Sequence, residues 1–408
     1  MMGLASPRLR SDRVGPGAWK PALSLPPPRY GLDGPLTAAA LALLGIGLVM
    51  VASASVAVAE KSTGSPLYYF YKQFGFAALG LVLGAMTFSV RMKAWEQSGF
   101  WLLAFAFFLL VIVLIPGIGV KVNSARRWLD FGAFRLQASE PARLALIIYL
   151  VGFIVRRQAD LQSSFKGLLK PLMPIVLACA LLMLEPDFGA TALLLLVTFL
   201  LLFMAGAKLL HLGALAIAAI GGLSLLIVTA AYRLRRLMTF TDPWADIENS
   251  GWQLTQSLIA IGRGEWAGVG LGNSLQKLLY LPETHTDFIF AIWAEEFGLL
   301  GIVALLSLFG IVVWRAFVVG RAAQQRHNFF AAYLCYAIGA WLGAQALINM
   351  AVNMGLLPTK GLTLPLISYG GSSLITVCLM VALVLRADHE NRLERAGAPA
   401  GGFRLGSP

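Results

Sequence analysis

Ten times along this chain a run of roughly twenty residues is predominantly apolar. The runs lie near 36–59, 68–90, 99–119, 140–155, 171–185, 187–205, 208–231, 287–318, 328–352 and 366–386. A helix of about twenty residues spans about 30 Å, the thickness of a bilayer's hydrocarbon core. With 58% hydrophobic and 13% charged residues, no soluble domain could bury so much apolar surface. The expectation is an all-α polytopic membrane protein with ten transmembrane helices. The fourth to sixth runs are short, so their ends are the least defined. The first run ends in "SVAVAE", which imitates a signal-peptidase site. Its leader of about 35 residues and core of about 20 exceed those of a signal peptide, so it reads as a retained helix.

An even number of crossings puts both termini on one side, and charge says which. The N-tail carries Arg8, Arg10, Arg13, Lys20 and Arg29; the C-tail carries Arg386, Arg392, Arg395 and Arg404. Loops on the same side add Arg91, Lys93, Arg156, Arg157, Lys166, Lys170, Lys208, Arg321 and Arg326. The positive-inside bias makes that side cytoplasmic. It also accounts for much of the net charge of +12 without nucleic acid. The organisation expected is a poorly ordered tail (1–35), a membrane domain (36–386) and a cytoplasmic C-tail (387–408). Cys179, Cys335 and Cys378 fall in apolar runs and read as small core side chains.

Two loops on the outer side break the bias: "KVNSARRWLDFGAFRLQASEPAR" and "YRLRRLMTFTDPWADIENSGWQ". Such charge serves either anionic lipid headgroups or an anionic, lipid-linked substrate, whose phosphate oxygens an arginine fork can grip. The second opens the one large loop, 232–286, a length that usually carries function. Gly268 to Gly272, "GVGLG", follows no strand, so a nucleotide fold is not expected. Flexible backbone lying on the bilayer surface is.

The loop ends in "LPETHTDFIFAIWAEEFGLLG". Asp287 stands where loop becomes helix, which suits a helix dipole as well as chemistry. In a continuous helix Glu295 lies about 12 Å deeper and about 80° round from Asp287, able to share a polar cavity with it. Glu296 faces elsewhere. Both read as structural intramembrane acids, since each costs roughly 2.5–3.5 kcal/mol on insertion scales unless enclosed. Near the C-terminus, "PTKGLTLPLISYGGSS" breaks regular helix and is expected to line a cavity.

These stretches, with "EPDFGA" at 185–190, resemble the SEDS family (shape, elongation, division and sporulation), and the likeness covers most of 36–386 in order. The forms "GNSLQKLLYLPE" and "LPTKGLTLPLISYGG" look more like its cell-division branch than its elongation branch. The resemblance implies a ten-helix peptidoglycan glycosyltransferase. It would polymerise lipid II into β-1,4-linked glycan and release undecaprenyl pyrophosphate. Asp287 matches the family's catalytic acid, and a carboxylate can act as general base on a sugar hydroxyl.

Arg126, Arg127 and Lys360 are candidate phosphate contacts. Glu140, Arg143, Asp187, Gln253, Glu283, His285 and Ser368 are further candidates for substrate contact. No cofactor is required by the sequence; a divalent cation, Mg2+ or Mn2+, could bridge carboxylate and pyrophosphate. Two departures stand out. "QASEPAR" has Ala138 and Arg143 where the family often has proline and lysine, and Glu185 stands where it often has glutamine. The implied partners are a class B penicillin-binding protein (the division transpeptidase) and other division proteins of the membrane. The implied location is the bacterial cytoplasmic (inner) membrane at the septum. The alternatives are a flippase for the same lipid, an elongation-type polymerase, or a non-catalytic scaffold.

Overall fold

The computed structural model describes residues 31–395, apart from 123–124, 133, 229–239, 241, 246, 248–250, 279 and 359–360. Most of the expected N-tail, the last residues of the C-tail and Lys360 therefore lie outside the described residues.

The helices, in order, are α1 (Gly34–Thr63), α2 (Tyr68–Ser89), α3 (Met92–Gln97), α4 (Gly99–Ile112), α5 (Ser139–Arg156), α6 (Gln158–Ser163) and α7 (Phe165–Leu184). There follow α8 (Phe188–Met204), α9 (Leu209–Val228), α10 (Trp252–Gly264), α11 (Ile289–Gln324), α12 (Phe329–Asn353) and α13 (Gly371–Arg395). Each of the ten expected spans coincides with one of them. Five (α1, α7, α11, α12 and α13) are long and apolar enough to cross a membrane on length and composition alone. The molecule is a polytopic, all-α membrane protein. Caps fix several starts: Asp33, Ser164, Asp187 and Asn328 each accept a bond from a main-chain N–H three residues on.

Several helix boundaries differ from expectation, and α11 is interrupted. Helix α4 stops at Ile112 rather than running to 119, shortly before Pro116, which cannot donate to a continuing helix. The outer basic loop then folds into an antiparallel sheet of β1 (Gly119–Val122), β2 (Ala125–Asp130) and β3 (Arg135–Gln137). Helix α11 is broken at Gly298, whose φ of 62° and ψ of −160° are not helical. Helix α13 starts at Gly371, not 366, and runs to Arg395, so the expected tail boundary falls inside it. Charged side chains of its penultimate turns are buried and paired: Arg386 bonds Glu390, which also accepts from the Met92 amide. Arg392 bonds Asp388, and Arg315 of α11 pairs with the α1 cap Asp33.

Helices α12 and α13 are buried along most of their length. Helix α12 packs on α11, α8 and α5; α13 packs on α2; α1 packs on both α2 and α11. Outward faces carry large exposed apolar side chains, among them Trp101 and Phe108 of α4, Met173 of α7 and Leu210 of α9. Lipid tails are the solvent that permits this. The three cysteines are buried and unbridged.

Candidate active site

Asp287 sits in a half-buried turn just ahead of α11, which begins at Ile289. The turn is closed by Glu283, whose carbonyl accepts from the amides of Thr286 and Phe288 at 3.2 Å each. Glu283 itself is exposed, adopts a left-handed φ of 57°, and accepts a 2.6 Å bond from the Thr286 hydroxyl. The carbonyls of His285, Thr286 and Asp287 are all held from outside the turn. Tyr369 N donates to His285 O at 2.8 Å, and Ser368 Oγ donates to Thr286 O at 2.6 Å. Asn349 and Asn353 each donate Nδ2 to Asp287 O at 3.0 Å. The His285 ring is buried against Tyr69 (4.6 Å between centroids) and Tyr369 (5.5 Å), and burial lowers its pKa, keeping it neutral.

The donors come from the broken segment 361–370 and from α12. Gly361 lies under the carboxylate: a β carbon there would stand 3.4 Å from Asp287 Oδ2. Along α12 the polar side chains recur every fourth residue. Trp341 Nε1 donates to Gln345 Oε1 (2.8 Å), Gln345 to Thr363 O (2.9 Å), and Asn349 to Leu362 O (2.6 Å). The irregular backbone that glycine and proline force on this segment thus finds its partners in side-chain amides.

A second polar group borders the same segment. Glu140 and Arg143, both buried, form an ion pair, and the Arg143 guanidinium lies 5.0 Å from the Trp341 ring. Asp187 caps α8 through Ala190 N (3.0 Å) and accepts from Ser139 Oγ (3.3 Å). Arg127 donates to the Glu185 and Pro186 carbonyls, and Arg126 to Leu114 O. These forks thus spend part of their capacity on main chain. Glu185 is fully buried, and among the described residues neither carboxylate oxygen has a hydrogen-bond partner. Burial first, then the nearby Asp187, pushes its pKa up to about 9. Leu362 packs where a side chain on Gly189 would stand, so segment 361–370 borders both groups. Gln253 lies half-buried on the first turn of α10.

The two following acids belong to neither group. Glu295 accepts from Arg263 Nη1 (2.8 Å), Ser274 Oγ and Leu275 N (3.1 Å). Glu296 accepts from Lys277 Nζ (3.0 Å) and Ser53 Oγ (3.0 Å). All partners but Ser53 are in the large loop. The expectation that Glu295 shares a cavity with Asp287 is therefore corrected: the helix starts two residues late, and the carboxylate turns to the loop. The glycines are corrected too. Val269 N and Gly270 N bond the Glu295 and Glu296 carbonyls at 3.0 Å, and Leu299 N bonds Glu265 O at 2.9 Å. A β carbon on Gly298 would meet Gly268 N at 2.5 Å. This stretch is a tight main-chain clamp on the α11 break, not loose backbone on a membrane surface.

Among the described residues no three His, Cys, Asp or Glu side chains gather as a metal cage.

The profile of the FtsW/RodA/SpoVE family, described as cell cycle protein, matches residues 35–393. The chain belongs to this family. It is 51% identical over 359 residues to the probable peptidoglycan glycosyltransferase FtsW of Thioalkalivibrio sulfidiphilus, covering 88% of this chain and 90% of that one. Against the FtsW of Nitrosococcus halophilus the identity is 52% over 362 residues, covering 88% and 93%. Among solved structures, a chain from work on "structural coordination of polymerization and crosslinking by a peptidoglycan synthase complex" matches with a TM-score of 0.72 at 26% identity, covering 89% of this chain and 98% of that one. The rod shape determining protein RodA of Thermus thermophilus matches at 0.66 and 25% identity, covering 88% and 98%. The chain is thus an FtsW-type SEDS protein, as its motifs imply.

Sequence reading of this FtsW-type chain did not single out Asn349, Asn353 or Gln345. Their signal was available: Trp341, Gln345, Asn349 and Asn353 mark one face of an otherwise apolar helix at a spacing of four.

Proposed function

We propose that this FtsW-type peptidoglycan glycosyltransferase polymerises lipid II, with Asp287 as general base. Asp287 accepts the proton of the acceptor sugar hydroxyl as that oxygen attacks the anomeric carbon of the donor. The bond from that carbon to the diphosphate oxygen breaks, and undecaprenyl pyrophosphate leaves with the electron pair. The observation that carries this reading is the turn itself. A half-buried carboxylate stands on a backbone whose carbonyls at 285, 286 and 287 are all pinned by distant donors. Such preorganisation is what base catalysis on a poor nucleophile needs.

Cations near segment 361–370 would balance charge on the departing diphosphate. Arg126, Arg127 and Lys360 are the candidates; Arg143 is buried and paired with Glu140. Glu140, Asp187, Gln253, Glu283, His285 and Ser368 would shape the surrounding cleft. A divalent cation, Mg2+ or Mn2+, would be held by Asp287 together with the substrate's own oxygens, because such ions accept few protein ligands. The protein works in the bacterial inner membrane at the septum, with both termini cytoplasmic. Its partners are a class B penicillin-binding protein and other division proteins; likeness to a chain of a peptidoglycan synthase complex supports the first. Purified protein with its transpeptidase and lipid II tests this. Glycan chains on a gel are expected; labelled lipid crossing liposomes without polymer would replace this reading with a flippase.

A further inference from the structure

We propose that Asn349 and Asn353 are positioning residues for Asp287, acting through its main-chain oxygen. The proposal rests on the reading that Asp287 is the base. Both amides are buried at the end of α12, 1% and 0% exposed, and both place Nδ2 3.0 Å from the same carbonyl oxygen. A carbonyl has two lone pairs, so two donors saturate it and fix its direction, and with it the Cα from which the carboxylate hangs. Asp287 precedes α11, which begins at Ile289, and the two amides reach its carbonyl from α12.

The two amides do not duplicate each other. Asn349 uses its second N–H on Leu362 O at 2.6 Å, so one planar group sets the spacing between the Asp287 turn and segment 361–370. That segment includes Gly361, which lies under the Asp287 carboxylate. Asn353 instead donates Nδ2 back to Asn349 O at 2.9 Å, and its main-chain carbonyl accepts a 2.8 Å bond from Ser257 Oγ of α10. Loop, helix end, base and broken segment meet at these two residues. Only a short amide can serve here. Aspartate has the shape but, ionised, no donor; glutamine has the donors but an extra methylene.

The test uses the full-length protein with its transpeptidase partner, measuring kcat and KM for lipid II and Tm. The variants are Asn349→Ala, Asn353→Ala, the isosteric Asn349→Asp and Asn353→Asp, the double alanine, Asp287→Asn, and Asn391→Ala as a stability control. Asn391 donates a buried bond to Val319 O, far along the chain from the turn. Each site variant is expected to lose kcat on the order of tenfold, since small misplacements of a base are costly. KM should stay within about twofold, because neither amide meets the substrate in this account. The double variant should lose less than the product of the singles, as both act on one oxygen. If the alanine variants do not fold, the aspartate pair carries the comparison. Wild-type kcat in folded site variants, or a loss matched by Asn391→Ala at equal Tm, overturns the inference while an inactive Asp287→Asn leaves the proposed function standing. An active Asp287→Asn brings down the proposed function instead.

Discussion

Lys277 places its ammonium 3.0 Å from a carboxylate oxygen of Glu296, and the Glu296 side chain is fully enclosed. Ser53 of α1 completes the site, bonding both partners. The pair fastens the large loop to the start of α11. Removing only the cation leaves a buried, unpaired charge, which costs about 3–5 kcal/mol. Lys277→Ala should therefore lower the thermal stability of the purified protein sharply. Lys277→Met combined with Glu296→Gln should recover much of it. Thermal unfolding of Lys277→Met, Glu296→Gln and their double gives the coupling directly.

Gly298 carries the break in α11. Its φ of 62° is a left-handed conformation, and Gly268 N would stand 2.5 Å from any β carbon added there. With ψ at −160°, a region only glycine enters readily, Gly298→Ala should cost about 1–3 kcal/mol from the conformation alone, and more from the displaced clamp. Gly310→Ala, further along α11 with nothing within 4 Å of the new atom, should be neutral or slightly stabilising. Paired Tm measurements on these variants check the difference.

Glu185 gives a pH signature. An acid whose folded pKa is raised from 4.5 to about 9 binds more protons folded than unfolded across that interval. Its contribution is thus most favourable at low pH and is lost as pH rises from about 4.5 toward about 9, at up to about 1.4 kcal/mol per pH unit. Glu185→Gln should remove this slope and raise Tm more at pH 8.5 than at pH 6. A Tm gain that is the same at both pH values would contradict the assignment of a buried neutral acid.

Arg143 holds Glu140 with Nη2, while Nη1 is buried with no hydrogen-bond partner among the described residues. A lysine, frequent at this position in the family, needs only the one contact. Arg143→Lys should retain most activity, losing part of the stacking on Trp341. Arg143→Met strands the Glu140 charge and should destabilise the protein by about 3–5 kcal/mol. Polymerisation rates and Tm of both variants distinguish pairing from packing.

Hydropathy made the polytopic, all-α character legible because a bilayer crossing calls for about twenty apolar residues. Motif residues made the family legible. What escaped was set by tertiary contact. The partners of Glu295 and Glu296 depend on the loop folding back onto α11, and no periodicity encodes that. The α13 end, with Arg386 paired to Glu390 and the part-buried Arg392 paired to Asp388, reads in sequence as the start of a C-tail because hydropathy weighs each charge without its partner. The glycine run at 268–272 looked loose because its reason, a neighbouring main chain, is remote in sequence. Asn349 and Asn353 were visible as a polar stripe, but only the structure reveals which carbonyl they serve.

The central claim is that the Asp287 carboxylate takes the proton of the acceptor hydroxyl. The most direct measurement is the rate of glycan formation from lipid II by folded Asp287→Asn protein in complex with its transpeptidase. Loss of the base should lower the rate by about 10²-fold or more with partner binding and Tm preserved. Polymerisation at the wild-type rate would contradict the account.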